Sequence, residues 1–259
     1  MILVQISDTH LVDAEADGEV ADPVFTARAE NLRRCIADIN HLDPRPDAVI
    51  HTGDLTHLGR AADFAFAHKL LAALEPPLYM TPGNRDGREG LVDAFAGDGR
   101  LRSHDGFVHY AVDDLQVRLV ALDSIALNSR KGDLCRRRLD ALDATLAAAP
   151  DRPTAIFMHH PPFDVTGASD PFQFDRRQAV DDLALVVGRH PQVIRIFSGH
   201  AHRTRLTRVA GALASTVPSV AVDLRLEDAP GPATDVPVYT IHRYRPDTGF
   251  VSEIRPAPG

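Results

Sequence analysis

Five short polar motifs, each closing an apolar run with strand character, constrain this chain more than any other feature. They read Asp8-Thr9-His10, Gly53-Asp54, Gly83-Asn84, His159-His160-Pro161-Pro162 and Gly199-His200-Ala201-His202. An open sheet of parallel strands gathers the carboxyl ends of those strands along one edge. Motifs far apart in sequence are therefore predicted to meet in space.

The spacing of apolar residues between the motifs supports such a sheet. Residues 2–7 form a short apolar strand, and Leu32, Ile36 and Ile39 give residues 26–42 a helical period closed by Pro44 and Pro46. Strands follow at 48–52 and 78–81, with helices at 60–74 and 88–95. The middle changes character. Runs 108–112 and 117–123 flank Asp113-Asp114, which reads as a β-hairpin. A helix at 134–149, a strand at 155–158, a helix at 176–189 and a strand at 193–197 resume the alternation. The tail carries short strands at 205–209, 213–217, 238–243 and 250–253, with a Pro/Gly/Asp-rich surface loop at 226–237. Repeated βα units followed by hairpins predict two sheets packed together with helices outside.

Length and composition narrow the class. At 259 residues, with 44% hydrophobic and 25% charged side chains and no linker, the chain reads as one globular domain over 1–259. Segments 11–25, 163–175 and 222–237 are candidate cap or dimerisation elements. A net charge of −8 argues against nucleic-acid polymers and anionic membranes as partners. Cys35 and Cys135 are too few for a disulfide framework. The amino terminus lacks the basic start of a signal peptide, and no stretch approaches a membrane span of about 20 apolar residues. A cytoplasmic protein is expected.

Taken singly, the motifs are weak signals. Asp-x-His and Gly-Asp recur by chance, and Gly-Asn is a common turn. Together they supply Asp8, His10, Asp54, Asn84, His159, His200 and His202, a mixture of imidazole, carboxylate and amide oxygen. That donor set suits Mn, Fe, Zn or Co, and the lack of cysteine disfavours a closed structural zinc site. Glycine directly before Asp54, Asn84 and His200 lets backbone approach closely.

The order Asp-x-His, Gly-Asp, Gly-Asn, His, Gly-His-x-His resembles the signature of calcineurin-like metallophosphoesterases and runs from Asp8 to His202. Finer features are similar to the branch of glycerophosphodiesterases and class III cyclic-nucleotide phosphodiesterases: the segment from Ile156 to Pro162, that from Ile194 to His200, and Ser215-Thr216-Val217-Pro218. The resemblance implies a four-layer αββα sandwich of two mixed β-sheets flanked by helices. It also implies two divalent metal ions, with Asp8, His10 and His202 on the first, Asn84, His159 and His200 on the second, and Asp54 bridging both. The implied activity is hydrolysis of small phosphodiesters, such as 3′,5′-cyclic nucleotides or glycerophosphodiesters, by a hydroxide shared between the cations. A homo-oligomer is expected on the same ground. The rivals are a non-catalytic scaffold of the same fold, or a pyrophosphatase or nuclease of the same family.

One residue departs from the pattern. The family usually carries histidine after Gly-Asn, whereas here Arg85 follows Asn84. Arginine does not give up its proton near neutral pH, but its guanidinium can clamp phosphate oxygens. Arg85 is therefore expected to clamp electrostatically rather than act as a general acid; the alternative is a surface ion pair with Asp86. Relatives often carry a further histidine near the position of Val222. His160 and His57 are the remaining histidines close to the motifs and are candidate proton donors; the alternatives are packing for His160 and a solvent-facing loop for His57. Phe163, Phe172 and Phe174 are candidate substrate walls, with core packing or a dimer contact as alternatives.

Overall fold

Side-chain alternation along the central strands sorts the chain into layers. The computed structural model describes residues 1–14, 22–95, 97, 101–221 and 236–257. One sheet runs β12 (Gly249–Pro256), β11 (Val238–Arg245), β1 (Ile2–Ile6), β2 (Ala48–His51), β3 (Leu78–Met80). The other runs β4 (Ser103–His104), β5 (Phe107–Val112), β6 (Arg118–Leu122), β7 (Thr154–Phe157), β8 (Val193–Ser198), β10 (Ala212–Thr216), β9 (Leu206–Val209). Both sheets are mixed. β1, β2 and β3 are parallel, and β11 joins β1 antiparallel. β6, β7, β8 and β10 are parallel, with antiparallel β5 and β9 beside them.

Successive residues of a strand face opposite sides of its sheet. Leu119, Ala121, Ala155, Phe157 and Phe197 accordingly join the core shared with the five-stranded sheet. Their neighbours Val120, Leu122, Ile156 and Ile196 join a second core with α4 (Arg136–Ala147) and α5 (Arg177–Gly188). Helices α1 (Pro23–Asn40), α2 (Ala61–Leu71) and α3 (Arg88–Phe95) pack with the five-stranded sheet. The four layers are therefore helices, sheet, sheet and helices, as the sequence predicts. Phe197 seals the contact between sheets, with its ring centroid 4.4 Å from His242 and 5.4 Å from Phe250.

Several boundaries differ from the sequence reading. Helix α1 begins at Pro23 rather than near Thr26, because the Asp22 side chain accepts from Val24 N and proline suits the first helical position. β4 was not expected; it is a two-residue extension paired to β5. β12 runs past its apolar residues because its backbone pairs with β11 from Gly249 to Pro256. Segment 163–175 is a loop anchored by a parallel bridge between Phe174 and Gly132. Residues 15–21, the middle of candidate cap element 11–25, and residues 222–235, which hold most of the 222–237 element, most of the 226–237 loop and Val222, lie outside the described residues. Among the described residues no helix is long and apolar enough to cross a membrane.

Candidate metal centre

All five motifs sit in the turns directly after β1, β2, β3, β7 and β8. Three strands of one sheet and two of the other therefore deliver them to one end of the sandwich. The turns are tight. Asp8, His10, Asp54, His200 and His202 all have positive φ, between 44° and 64°. Non-glycine residues rarely adopt that region, and such strain gathers at functional sites. Gly53 and Gly83 let two of the turns touch: a Cβ on Gly53 would lie 2.6 Å from His159 Nδ1 and 2.8 Å from Gly83 Cα.

The seven side chains form two groups that share one carboxylate. In the first, His202 Nε2 lies 3.1 Å from His10 Nε2 and 3.3 Å from Asp8 Oδ1, and His10 Nε2 lies 3.8 Å from Asp54 Oδ2. In the second, His159 Nε2 lies 3.1 Å from Asn84 Oδ1, 3.1 Å from His200 Nδ1 and 3.5 Å from Asp54 Oδ1. The two oxygens of Asp54 thus face different groups.

Hydrogen bonding around the second group fixes which atoms carry lone pairs. His159 Nδ1 donates to the Thr52 carbonyl at 2.7 Å, so in the neutral ring Nε2 is bare. Gln173 donates to the Asp170 carbonyl, which turns its own oxygen toward His200. His200 Nε2 donates to that oxygen at 2.9 Å, so His200 Nδ1 is bare as well. The lone pairs of His159, His200 and Asn84 converge with no proton available between them. In the first group Asp8 Oδ1 is buried without an aligned donor. Converging acceptors of this kind fit a cation.

Electrostatics lead to the same conclusion. Burial, with neighbouring charges secondary, pulls His10 and His200 down to about 3, so both rings are neutral at neutral pH. Burial would raise Asp8, but His202, His159 and His10 hold it well below the ordinary carboxylate range. Asp54 is pushed well above that range by burial and then by the negative charges of Asp8 and Asp86. A dication between the groups would relieve that repulsion.

Several supporting residues escaped the sequence reading. Asp86 is buried and accepts from Leu55 N, Thr56 N, Thr56 Oγ1 and Gly83 N at 2.9–3.0 Å. It pins the Asp54 and Asn84 turns together and is not the ion-pair partner of Arg85. Its place two residues beyond the Gly-Asn pair was the available signal. Asp8 Oδ2 accepts from Ser7 Oγ at 2.5 Å and His200 N at 3.0 Å, which ties the first and fifth motifs together. Gln173, in a loop, had no local signal.

The remaining candidates separate by their contacts. Arg85 N donates to Asp54 Oδ1 at 2.7 Å, while its side chain makes no ion pair among the described residues. His57 is held below the ordinary histidine value by partial burial and by the charges of Arg28, Arg85 and Arg130, which places each of these arginines within electrostatic reach of His57. Both nitrogens of His160 are engaged, Nδ1 with Ser124 Oγ at 2.9 Å and Nε2 with the Arg130 carbonyl at 3.0 Å. Phe174 is buried in the second core, and Phe163 and Phe172 pack against it. A cleft of about 900 Å³ opens beside Asn84, between Arg88, Ile125, Leu127 and Arg130.

A two-sheet sandwich with seven metal-type ligands at the carboxyl ends of its strands defines a class, the dinuclear metallohydrolases. The sequence profile of the calcineurin-like phosphoesterase family matches residues 1–204, and the chain belongs to that family. It is 34% identical over 221 residues, 85% of this chain and 77% of the relative, to the glycerophosphodiester phosphodiesterase GpdQ of Enterobacter lignolyticus. It is 36% identical over 207 residues, 78% of this chain and 72% of the relative, to a probable cyclic nucleotide phosphodiesterase of Rhodopseudomonas palustris. Its fold is similar to that of a dimetal phosphatase from Danio rerio, with a TM-score of 0.69 and 16% identity, covering 100% of this chain and 99% of the other.

Proposed function

We propose that this chain is a phosphodiesterase that works with two divalent metal ions on small phosphodiesters, with 3′,5′-cyclic nucleotides and glycerophosphodiesters as the two substrate classes. The observation that carries this reading is Asp54, whose oxygens turn toward separate ligand groups. Asp8, His10 and His202 would hold the first ion and Asn84, His159 and His200 the second. Mn, Fe, Zn and Co all suit these donors. When bound, the ions supply a nucleophile at neutral pH and stabilise charge on the phosphate oxygens. The relatives named as phosphodiesterases support the same assignment.

The chain's own residues set up the rest. Arg85 N holds one oxygen of the bridging carboxylate in place. Arg28, Arg85 and Arg130 form a local positive field that offsets the overall charge of −8 for an incoming anion. The Arg85 side chain, which makes no ion pair among the described residues, clamps the phosphate. His160 positions the Arg130 segment through its bond to the Arg130 carbonyl, since neither of its nitrogens is free to deliver a proton. The cleft beside Asn84, with Ile125 and Leu127 as an apolar wall, receives the leaving group.

Two variants test these roles. Asp54→Ala is expected to lose at least about three orders of magnitude in diesterase rate, since a bridging ligand serves both ions. Normal turnover by that variant would reject the proposal. Arg85→Ala is expected to slow a nitrophenyl diester and an alkyl diester by the same factor, about 10–100-fold, from lost charge-assisted bonds. Selective slowing of the alkyl substrate alone would make Arg85 part of a proton-delivery path instead.

A further inference from the structure

A second polar site lies away from the motifs. Between the two sheets, where β8, β9 and β10 face β11 and β12, is a cavity of about 400 Å³. Arg195 lines it. This residue lies on β8, five positions before His200, which is roughly 15 Å of extended chain.

Arg195 is only 2% exposed. It donates to Ser215 Oγ at 2.9 Å and Ser252 Oγ at 3.2 Å, and its Nε has no partner. No carboxylate pairs with it among the described residues. Glu253, a carboxylate on the cavity wall, is taken by Arg243 at 2.7 Å. Burial lowers the Arg195 guanidinium to about 10, so it remains charged at neutral pH. Thr240 Oγ1, on the facing strand, is also buried without a partner. The guanidinium lies 5.1 Å from the centroid of the Phe197 ring, but a ring face supplies no counter-charge, and a buried cation without one is destabilising. An anion would supply that counter-charge.

The walls define which anion. A single guanidinium balances one negative charge, and its flat edge matches a carboxylate. Beyond it the lining turns apolar, with half-buried Leu213 and Phe250 and exposed Leu206 and Ile254. We propose that this cavity is a second ligand site that takes a small monocarboxylate, its head on Arg195 and Thr240 and its aliphatic tail along Leu213 toward Leu206 and Ile254.

The site shares a hydrogen-bond network with the metal centre. Ser252 Oγ donates to His242 Nδ1 at 2.7 Å, and His242 Nε2 donates to Gln5 Oε1 at 3.0 Å. Gln5 Nε2 donates to Thr52 Oγ1 at 2.9 Å, Thr52 Oγ1 to Ser7 Oγ at 2.8 Å, and Ser7 Oγ to Asp8 Oδ2 at 2.5 Å. With the bond from Arg195, every step runs in one donor direction from the cavity to Asp8.

Calorimetric titration of the full-length, metal-loaded protein with hexanoate, hexan-1-ol and inorganic phosphate tests the site. Hexanoate is expected to bind saturably, hexan-1-ol at least tenfold more weakly, and phosphate without competing against hexanoate. Arg195→Met should weaken hexanoate at least tenfold and Thr240→Val several-fold. Methyl NMR of labelled protein should show hexanoate shifting Leu206 and Ile254, which keeps the test decisive if Arg195→Met does not fold. Absence of saturable hexanoate binding, equal binding to Arg195→Met, or shifts confined to the metal centre would each overturn the proposal.

Discussion

The two sheets make unequal contributions to the candidate centre. The five-stranded sheet delivers Asp8, His10, Asp54 and Asn84 from the ends of β1, β2 and β3. The seven-stranded sheet delivers His159, His200 and His202 from the ends of β7 and β8. Every oxygen donor comes from the first sheet, and three of the four imidazoles come from the second. Neither sheet completes either ligand group. The centre therefore exists only when the sheets are docked, and ion binding should stabilise that docking by linkage.

The most severe way to break this arrangement is to remove ligands in matched pairs across the sheets. Asp8→Ala and His202→Ala, from opposite sheets, should lower occupancy of the same ion, and Asn84→Ala and His159→Ala that of the other. Each should reduce the diesterase rate by about a thousandfold, a loss of roughly 4 kcal/mol in transition-state stabilisation. Metal analysis beside kinetics would show it; effects that pair by sheet instead of by ligand group would contradict the shared geometry. Removing the contact between sheets comes next. Phe197 is fully buried against His242 and Phe250. Phe197→Ala should lower stability by about 3–5 kcal/mol in denaturant unfolding and weaken metal binding with it.

Smaller effects sharpen the contrast. Gln173 orients His200 without being a ligand. Gln173→Ala should weaken binding of one ion about 10–100-fold and leave the other intact, by competition with a fluorescent chelator. An ion pair outside the centre serves as the reference. Arg255 donates twice to Asp38, at 2.6 and 3.0 Å, and with Tyr239 outweighs burial to hold Asp38 below its ordinary value of 3.8. A depressed folded value means that this stability is full above about pH 4 and is lost as pH falls through the folded value. Asp38→Asn should therefore cost about 1 kcal/mol at pH 7, a figure kept small because Arg255 is 40% exposed, and less as the solution is acidified.

Much of this could be read before any coordinates. The candidate ligands are local signals, weak singly and strong together: each motif stands at the end of an apolar run, and every such run is a strand in the fold. The helices were legible from apolar spacing, and the start of α1 was available in Asp22-Pro23. What was hidden depends on contacts between distant segments. Asp86 was marked only by its place two residues beyond the Gly-Asn pair, and the bonds by which its carboxylate holds two turns together reach back to Leu55 and Thr56. Gln173 meets His200 only because loop 163–175 folds over the site. The insertion of β11 beside β1 joins the two ends of the chain. A subtler signal was present in Gln5, Arg195 and His242, polar residues set inside apolar strands. They are the buried network between the sheets.

Electron paramagnetic resonance of the protein titrated with Mn²⁺ addresses Asp54 most directly. If one carboxylate joins the two ligand groups, wild-type protein at saturation holds two ions whose spectrum is that of a spin-coupled pair, and Asp54→Ala loses the coupling. A single ion at saturation, or two ions that never couple, would contradict the account.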